Sequence, residues 1–314
     1  MMNTPYHFHS ILVLGAGELG LSVLRALSLQ RPQQPETQIS VLLKAGSVHS
    51  SSAEKLARLE ELSALGVKPL TGDLHQQSIK ELAELFRPFD AVINCSGFVG
   101  GAGTQLKITQ AVLDAGIKRY FPWQFGVDYD VVGKGSGQQV WDEQLEVRHL
   151  LRAQHETEWV IVSTGLFTSY LFEPSFGVVD ARTKTVFALG DWQNAVTVTT
   201  PEDIGRLTAK IFFHQPRLRN QAVYIAGDTL SWQRLAELME QKWATPVTKT
   251  LLSVDKLREE AETRPDDAAA KYRLAFARKT GIAWDKSTSY NARQGIAVTD
   301  VEQWLAARTR SENR

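Results

Sequence analysis

The amino-acid sequence predicts an α/β fold in which a doubly wound parallel sheet is followed by a smaller C-terminal α+β domain. Short apolar segments alternate with helical segments of about 10–15 residues through the first half of the chain, which is the pattern of βαβ units. These strand segments are apolar along their whole length, as strands covered by helices on both faces must be. Beyond residue 163 the alternation loosens, which indicates a second architecture.

The first half of the chain provides the elements of the parallel sheet. The first strand is expected at 11–14 and the first helix at 19–29. Further strands are expected at 39–43, 67–70 and 91–94, and from Tyr120 and at 159–163. The intervening helices are expected at 53–65, 79–86 and 105–115. The crossovers between parallel strands should be right-handed.

The second half is less regular. Residues 166–176 are rich in aromatic side chains and predict a loop or short helix, and 186–189 and 196–198 are candidate antiparallel strands. A strand at 222–225 and helices at 201–213, 232–243, 254–262, 267–279 and up to 307 follow. Pro201 suits a first helical position and Ser231 an N-cap. We therefore predict one domain at 1–160 and a second at 161–314, with about 190–228 returning to the first.

Composition limits the class of protein. The 314 residues carry 35 basic and 35 acidic groups, which argues against a nucleic-acid-binding protein. No apolar run is long enough to span a membrane, and the N-terminal residues lack the pattern of a signal peptide. Cys95, the single cysteine, leaves no intrachain disulfide, and no histidine pair has the spacing of a zinc site. We expect a cytoplasmic protein without a metal, either monomer or homodimer.

A glycine-rich loop lies between the first strand and the first helix. The segment Gly15-Ala16-Gly17-Glu18-Leu19-Gly20 matches GxGxxG in the strand–turn–helix context that a dinucleotide site requires. Gly15 permits the turn, Gly17 allows the pyrophosphate close to the backbone, and Gly20 allows helix and strand to pack. The helix N-terminus then offers N–H groups to the phosphates. These features predict a Rossmann-type domain.

The end of the second strand indicates which dinucleotide is bound. NAD-binding proteins usually have an acidic residue there for the ribose 2′-hydroxyl, whereas this chain has Lys44 and Ser47. A lysine attracts the 2′-phosphate of NADP, and Ser47 can donate a hydrogen bond to it. The alternative is a solvated surface lysine. We predict NADP(H) as the cofactor.

Two further segments lie at the carboxyl ends of strands, where open α/β sheets bind ligands. Asp73 follows the third strand and is expected near the adenine, although an ordinary turn is the alternative. Cys95, Ser96 and Gly97 follow the fourth strand and are expected to contact the cofactor. Cys95 is predicted to be a packed small side chain rather than a reactive thiol.

Several segments resemble the isoflavone reductase-like proteins of the NmrA-like family, which are atypical short-chain dehydrogenases. The segment from Gln105 through Lys118-Arg119-Tyr120-Phe121-Pro122-Trp123-Gln124-Phe125-Gly126 is similar to the region around the family's Pro-Ser-Glu-Phe-Gly motif. Later blocks begin at Val162, Val198 and Thr229 in the family's order. The resemblance covers about residues 10–260 and is specific for the family, not for a substrate.

The resemblance implies an NADPH-binding domain, a smaller substrate domain and hydride transfer to phenylpropanoid-like aromatic substrates. It places Lys44 at the family's 2′-phosphate-binding position and Gln105, Pro122 and Phe125 at the cofactor. Trp123 and Gln124 replace the family's Ser-Glu and form an uncharged wall of the substrate pocket. Phe167 and Tyr170 are expected across that pocket.

The chain departs from the family at the proton-handling residue. Plant reductases have a lysine after the Phe-Gly motif, and the aligned positions here are Gln138 and Gln139, which are not bases at neutral pH. Lys134, in a glycine-rich loop, is the candidate replacement, and a mobile solvated lysine is the alternative. Tyr129, Asp142 and Glu143 also remain open as candidates.

Two functional hypotheses follow. The first is an NADPH-dependent reductase of a small aromatic alcohol, ether or enone, in which positioning and water exclusion contribute much of the acceleration. The second is an NmrA-like NADP(H)-binding redox sensor without turnover, favoured by the missing lysine. The aromatic residues expected around the substrate favour the reductase.

Overall fold

The structure is a computed structural model that describes residues 8–30, 33, 35–48, 52–98 and 100–312. The chain forms two compact units. The first comprises residues 1–124, 146–162 and 204–222, and the second comprises 125–145, 163–203 and 223–314. Within the described part of the chain, no helix combines the length and apolar character needed to cross a membrane.

A seven-stranded sheet organises the first unit. Its strands are β1 Ser10–Leu14, β2 Gln38–Leu43, β3 Lys68–Thr71, β4 Ala91–Asn94, β5 Arg119–Phe121 and β6 Glu158–Ser163, joined at one edge by β11 Gln221–Tyr224. The spatial order is β11-β6-β5-β4-β1-β2-β3, and the pairs from β3 to β6 are all parallel. Strand order reverses beside β1, between β2 and β4, which is where this fold binds dinucleotides. The predicted doubly wound sheet is confirmed.

Helices α1 Glu18–Leu29, α2 Ala45–Val48, α3 Ala53–Ala64, α4 Ile79–Phe86, α5 Thr104–Asp114, α7 Gln139–Arg152 and α8 Pro201–Phe212 connect these strands. The core contains fully buried side chains such as Leu12, Phe86 and Ile108. Segment 204–222 belongs to this unit because Gly205 of α8 lies against α1, where a Cβ would overlap the backbone of Ser22. Its missing side chain allows that approach.

The second unit contains two small sheets. One has the order β12-β10-β7, from Asp228–Ser231, Ala195–Thr199 and Leu166–Phe167. The other has the order β13-β9-β8, from Thr248–Leu252, Thr185–Leu189 and Val179–Asp180. The helices are α6 Tyr129–Val132, α9 Trp232–Trp243, α10 Val254–Thr263, α11 Ala268–Phe276, α12 Tyr290–Arg293 and α13 Val301–Glu312, with 3₁₀ turns at Thr168–Phe172 and Lys286–Thr288. Ser231 caps α9 by accepting a hydrogen bond from the N–H of Arg234 at 3.1 Å, as predicted.

The two strand candidates in this unit have different partners. Residues 185–189 pair with β13 in parallel and β8 antiparallel, whereas 195–199 pair with β12 antiparallel and β7 in parallel. They therefore belong to separate sheets. The proposed domain boundaries at residue 160 and around 190–228 stay predictions.

Candidate cofactor-binding site

The glycine-rich loop connects β1 to α1 at the centre of the sheet. Gly15 has a φ of +92°, and a Cβ there would lie 3.3 Å from Cα of Ser96, in the loop after β4. Its N–H donates to the carbonyl of Leu42 at 3.2 Å. A left-handed backbone and close neighbours both favour glycine at this position. The turn therefore holds the ends of β1, β2 and β4 together.

Gly17 and Gly20 differ in what surrounds them. Gly17 is the N-cap of α1, and a Cβ built on it would have no heavy atom within 4 Å. A Cβ at Gly20 would overlap the carbonyl oxygen of Gly15. Gly20 is thus required by packing, while Gly17 leaves open space in front of helix N–H groups that have no intrahelical acceptor.

A cavity of about 370 Å³ lies beside this loop. Six residues predicted for the cofactor site line it: Gly15, Gly17, Lys44, Ser47, Cys95 and Ser96. Basic or aromatic side chains that the prediction did not include also line it: Lys55, Arg58 and His75. Its volume is in the range of small-molecule sites. The predicted residues outside this lining are Glu18, Leu19, Gly20, Asp73, Gly97, Gln105, Pro122 and Phe125, and their cofactor contacts stay predictions.

Lys44, which lines the cavity, forms an ion pair with Asp73. The Nζ of Lys44 lies 3.7 Å from Oδ2 of Asp73. Burial opposes ionisation of Asp73, but backbone N–H donors of His75 and Gln76 and the charge of Lys44 lower its pKa. Asp73 is therefore an ionised cap of the turn after β3 and the neighbour of Lys44.

Two basic residues of α3 also line the cavity. The Nζ of Lys55 donates to the carbonyl of Gly46 at 3.1 Å, and Nη2 of Arg58 lies 3.0 Å from Oε1 of Glu54. Their spacing of three residues puts them on one face of the helix. Their i, i+3 spacing on the helix predicted at 53–65 is the sequence signal that could have identified the pair.

The loop after β4 is held by buried amides. Nδ2 of Asn94 donates to Oε1 of Gln105 at 2.8 Å, and Nε2 of Gln105 donates to the carbonyl of Gly97 at 2.7 Å. The hydroxyl of Ser96 donates to Oδ1 of Asn94 at 2.7 Å. The side-chain amide of Gln105 thus links Asn94 to the carbonyl of Gly97. This network fixes the backbone that borders the cavity.

Cys95 is a buried thiol in the cavity wall. Desolvation raises its pKa well above the ordinary value, so it is protonated at neutral pH. The thiolate is the nucleophilic form of cysteine. This state fits the prediction of a packed side chain. Among the described residues, no group of three His, Cys, Asp or Glu side chains is placed to hold a metal ion.

Gln124 and Arg148 are fully buried in the first unit. Nε of Arg148 donates to Oε1 of Gln124 at 2.9 Å. The neighbouring Trp123 is half-buried. The amide that replaces the family's carboxylate is therefore the acceptor of a buried guanidinium, and its assignment to a substrate pocket stays a prediction.

The other predicted substrate residues belong to the second unit, where aromatic rings cluster. Tyr170 lies 4.8 Å from Phe176 and 6.1 Å from Tyr272, ring centre to ring centre. Burial raises the pKa of Tyr170, and raises that of Tyr272 to about 12, so both hydroxyls are neutral at pH 7. Phe167, at the end of β7, is half-buried.

Lys134 is an exposed residue in the loop between α6 and α7. Arg278 and Asp142 hold this loop: Nη2 of Arg278 donates to the carbonyl of Ser136 at 2.9 Å, and the carboxylate of Asp142 accepts from the N–H of Gly135 at 3.2 Å. Gln138 is buried, and its Oε1 accepts from the N–H of Val140 at 3.5 Å. Asp142 is thus engaged as an anchor of the loop.

The cavity residues fit a dinucleotide phosphate. Open space lies at Gly17, the N-cap of α1, and the lining includes the cationic side chains of Lys44, Lys55 and Arg58. The first feature suits a pyrophosphate and the second a 2′-phosphate.

Comparison with known proteins identifies relatives across nearly the whole chain. The model of the NmrA-like family matches residues 8–284. A Gibberella moniliformis protein described as an NmrA-like family domain-containing oxidoreductase is 45% identical over 298 residues, covering 94% of this chain and 97% of that protein. A phenylcoumaran benzylic ether reductase of Pinus taeda is 30% identical over 249 residues, covering 77% of this chain and 76% of that protein.

The fold is also found among solved structures. The complex of leucoanthocyanidin reductase from Vitis vinifera with NADPH superposes with a TM-score of 0.75 at 19% identity, covering 95% of this chain and 98% of that chain. At that identity the likeness concerns the fold, which agrees with the sheet order described above.

Proposed function

The chain belongs to the NmrA-like family, and from this premise we propose that it is an NADPH-dependent reductase of a small aromatic, phenylpropanoid-like alcohol, ether or enone. The observation that carries the proposal is the cavity at the glycine-rich loop, with an open helix N-terminus and three cationic side chains in its lining. The reductases and oxidoreductases among its relatives support the reaction class.

The first unit binds and orients the cofactor in this proposal. The N–H groups at the start of α1 hold the pyrophosphate, while Lys44, Lys55 and Arg58 hold the 2′-phosphate. Asn94 and Gln105 fix the loop that carries Ser96, so the cavity wall is positioned before ligand arrives. When bound, NADPH supplies the hydride.

An aromatic substrate class is supported by the relatives and by the second unit. The Pinus taeda relative is named for a phenylcoumaran benzylic ether. In this chain, Tyr170 lies in a cluster of aromatic rings, and we propose that this face, with Phe167, contacts the substrate ring. The neutral hydroxyl of Tyr170 donates a hydrogen bond rather than accepting a proton.

Lys134 is the proposed proton donor. Its loop is anchored on both sides by Asp142 and Arg278, which limits the region that its side chain can reach. Tyr129 and Glu143 are less suited, because both are buried in the second unit, and Tyr129 packs edge-on against Trp141 at 6.1 Å.

The second candidate function is an NADP(H) sensor of the NmrA type without turnover. It is favoured by one observation, the amides of Gln138 and Gln139 at the family's lysine position. Gln138 is buried and accepts a backbone hydrogen bond, so it is a structural part of the start of α7.

Turnover measurements distinguish the two candidates. Purified protein is mixed with NADPH and a panel of phenylcoumarans, cinnamyl alcohols, enones and cinnamaldehydes, and absorbance at the nicotinamide band is followed. The reductase predicts substrate-dependent NADPH oxidation, slowed by Lys134→Ala, with Lys279→Ala as the control for an exposed lysine elsewhere in the same unit. NADPH binding without oxidation across the panel supports the sensor.

A further inference from the structure

The second unit contains a larger cavity that the proposed function does not use. Its volume is about 1040 Å³, and its lining residues come from β8, β9, β13, α9, α10, α11 and α13 and from residues 172–177, 181–182 and 264. This set shares no member with the lining of the cofactor cavity. A cavity of this size accommodates a drug-sized ligand.

Positive charge predominates in the lining. Among the described lining residues there are six Lys or Arg side chains and three carboxylates. One of the carboxylates, Glu260, is shared, since its Oε1 lies 2.7 Å from Nη2 of Arg273 and 3.2 Å from Nη1 of Arg264. Two cations on one carboxylate leave that cluster with a net positive charge. A concave surface with a net positive charge attracts anions.

Arg273 is built firmly into the wall. It is 8% exposed, and its Nη1 donates to the carbonyl of Phe176 at 3.2 Å. A buried guanidinium held by a carboxylate and a carbonyl has a fixed position, so its charge contributes to the field of the cavity without rearrangement.

Half-buried aromatic rings form the apolar part of the same cavity. Phe172 and Trp304 are stacked with ring centres 4.8 Å apart and planes 16° from parallel. The guanidinium of Arg308 lies 4.0 Å from the centre of the Trp304 ring. Phe187 and Trp243 also line the cavity and are partly exposed. Flat rings beside cations are suited to a planar ligand that carries a negative charge.

We propose that this cavity is a second ligand site, which binds a planar aromatic anion such as an arenecarboxylate or arenesulfonate. The ring of the ligand packs against the aromatic side chains, and the anionic group faces the basic side chains of α10 and α11. The site is independent of the cofactor site and does not require that the protein catalyses a reduction.

The probe for this site is 1-anilinonaphthalene-8-sulfonate, an aromatic anion with a planar naphthalene ring system, whose fluorescence rises when it is bound. The full-length protein is titrated with and without saturating NADP⁺, which is not fluorescent. We expect the same dissociation constant in both cases. Cinnamate should displace the probe, whereas cinnamyl alcohol, which has a similar shape without the charge, should displace it poorly.

Charge and ring variants locate the binding. Lys256→Glu reverses an exposed lining charge and should weaken probe binding about fivefold or more. Phe172→Ala should weaken it as well, whereas Lys279→Glu, the same charge change outside the lining, should leave it unchanged. The proposal is overturned if both lining variants bind the probe as the parent protein does, or if NADP⁺ or cinnamyl alcohol displaces it as well as cinnamate. Thermal melting of each variant verifies that it is folded.

Discussion

Lys44 at the end of β2 is paired with Asp73 after β3, with Nζ and Oδ2 3.7 Å apart. Asp73 is ionised, because the hydrogen bonds and charge around it lower its pKa despite partial burial. If NADPH binds here as proposed, its 2′-phosphate would meet both the attraction of Lys44 and the repulsion of Asp73. We therefore expect the preference for NADPH over NADH to depend on the excess of the cations over this one carboxylate.

Asp73→Asn should strengthen NADPH binding. An asparagine keeps the Oδ1 acceptor for the N–H groups of His75 and Gln76, so the turn is retained, while the negative charge is lost. Because exposed ion pairs are weak, the expected gain is about two- to fivefold. Calorimetric titration measures it, and NADH affinity should not change. Weaker NADPH binding by a variant that melts normally would contradict this account.

Lys55 and Arg58 should contribute to NADPH binding in the same way as Lys44. Lys55→Gln and Arg58→Gln are each expected to weaken NADPH about three- to tenfold and NADH little, since each removes a charge facing the 2′-phosphate. Lys80→Gln, an exposed charge removal on α4, is the matched control. Equal losses for NADPH and NADH would mean that these side chains do not recognise the phosphate.

The two glycines of the loop should respond differently to a side chain. Gly17→Val should abolish cofactor binding and leave the melting temperature nearly unchanged, because its Cβ enters open space. Gly20→Val should lower the free energy of unfolding by about 2 kcal/mol or more, because its Cβ overlaps the carbonyl of Gly15. Melting and titration of both variants separate the effects. If the Gly17→Val variant still bound NADPH tightly, the pyrophosphate would not bind at Gly17.

Gln124→Leu should destabilise the first unit. Nε of the fully buried Arg148 loses its acceptor, and a hydrogen bond to a charged group contributes about 2 kcal/mol. Gln124→Glu retains an acceptor and should retain stability. Gln139→Leu, an exposed glutamine of α7, is the control in urea denaturation. A Gln124→Leu variant as stable as the parent would show that the hydrogen bond from Arg148 to Gln124 does not contribute to stability.

The parallel sheet could be predicted from the sequence because each strand is a continuous apolar run beside a helix of regular period. In the second unit, the sequence predicts β9 and β10 but not β7, β8, β12 and β13. Residues 248–252 form β13 although their side chains are mostly exposed, and β7 and β8 contain two residues each. Such strands exist through pairing with distant segments, which local pattern does not encode.

The same distinction applies to the candidate site. Lys44 could be identified because it immediately follows a strand whose end is known to carry ribose recognition. Lys55 and Arg58 lie on α3, and their place in the cavity depends on how α3 packs against α2 and β3. The hydrogen bond between Gln105 and Asn94 likewise depends on a contact between different elements, and so does the ion pair between Asp73 and Lys44.

The central claim is that the cavity at the glycine-rich loop binds NADPH and recognises its 2′-phosphate through Lys44. The most direct test is calorimetric titration of the parent protein and of Lys44→Asp with NADPH and NADH. We predict tighter binding of NADPH than NADH by the parent, and loss or reversal of that preference in Lys44→Asp. Equal affinities in the parent, unchanged by the substitution, would contradict the claim.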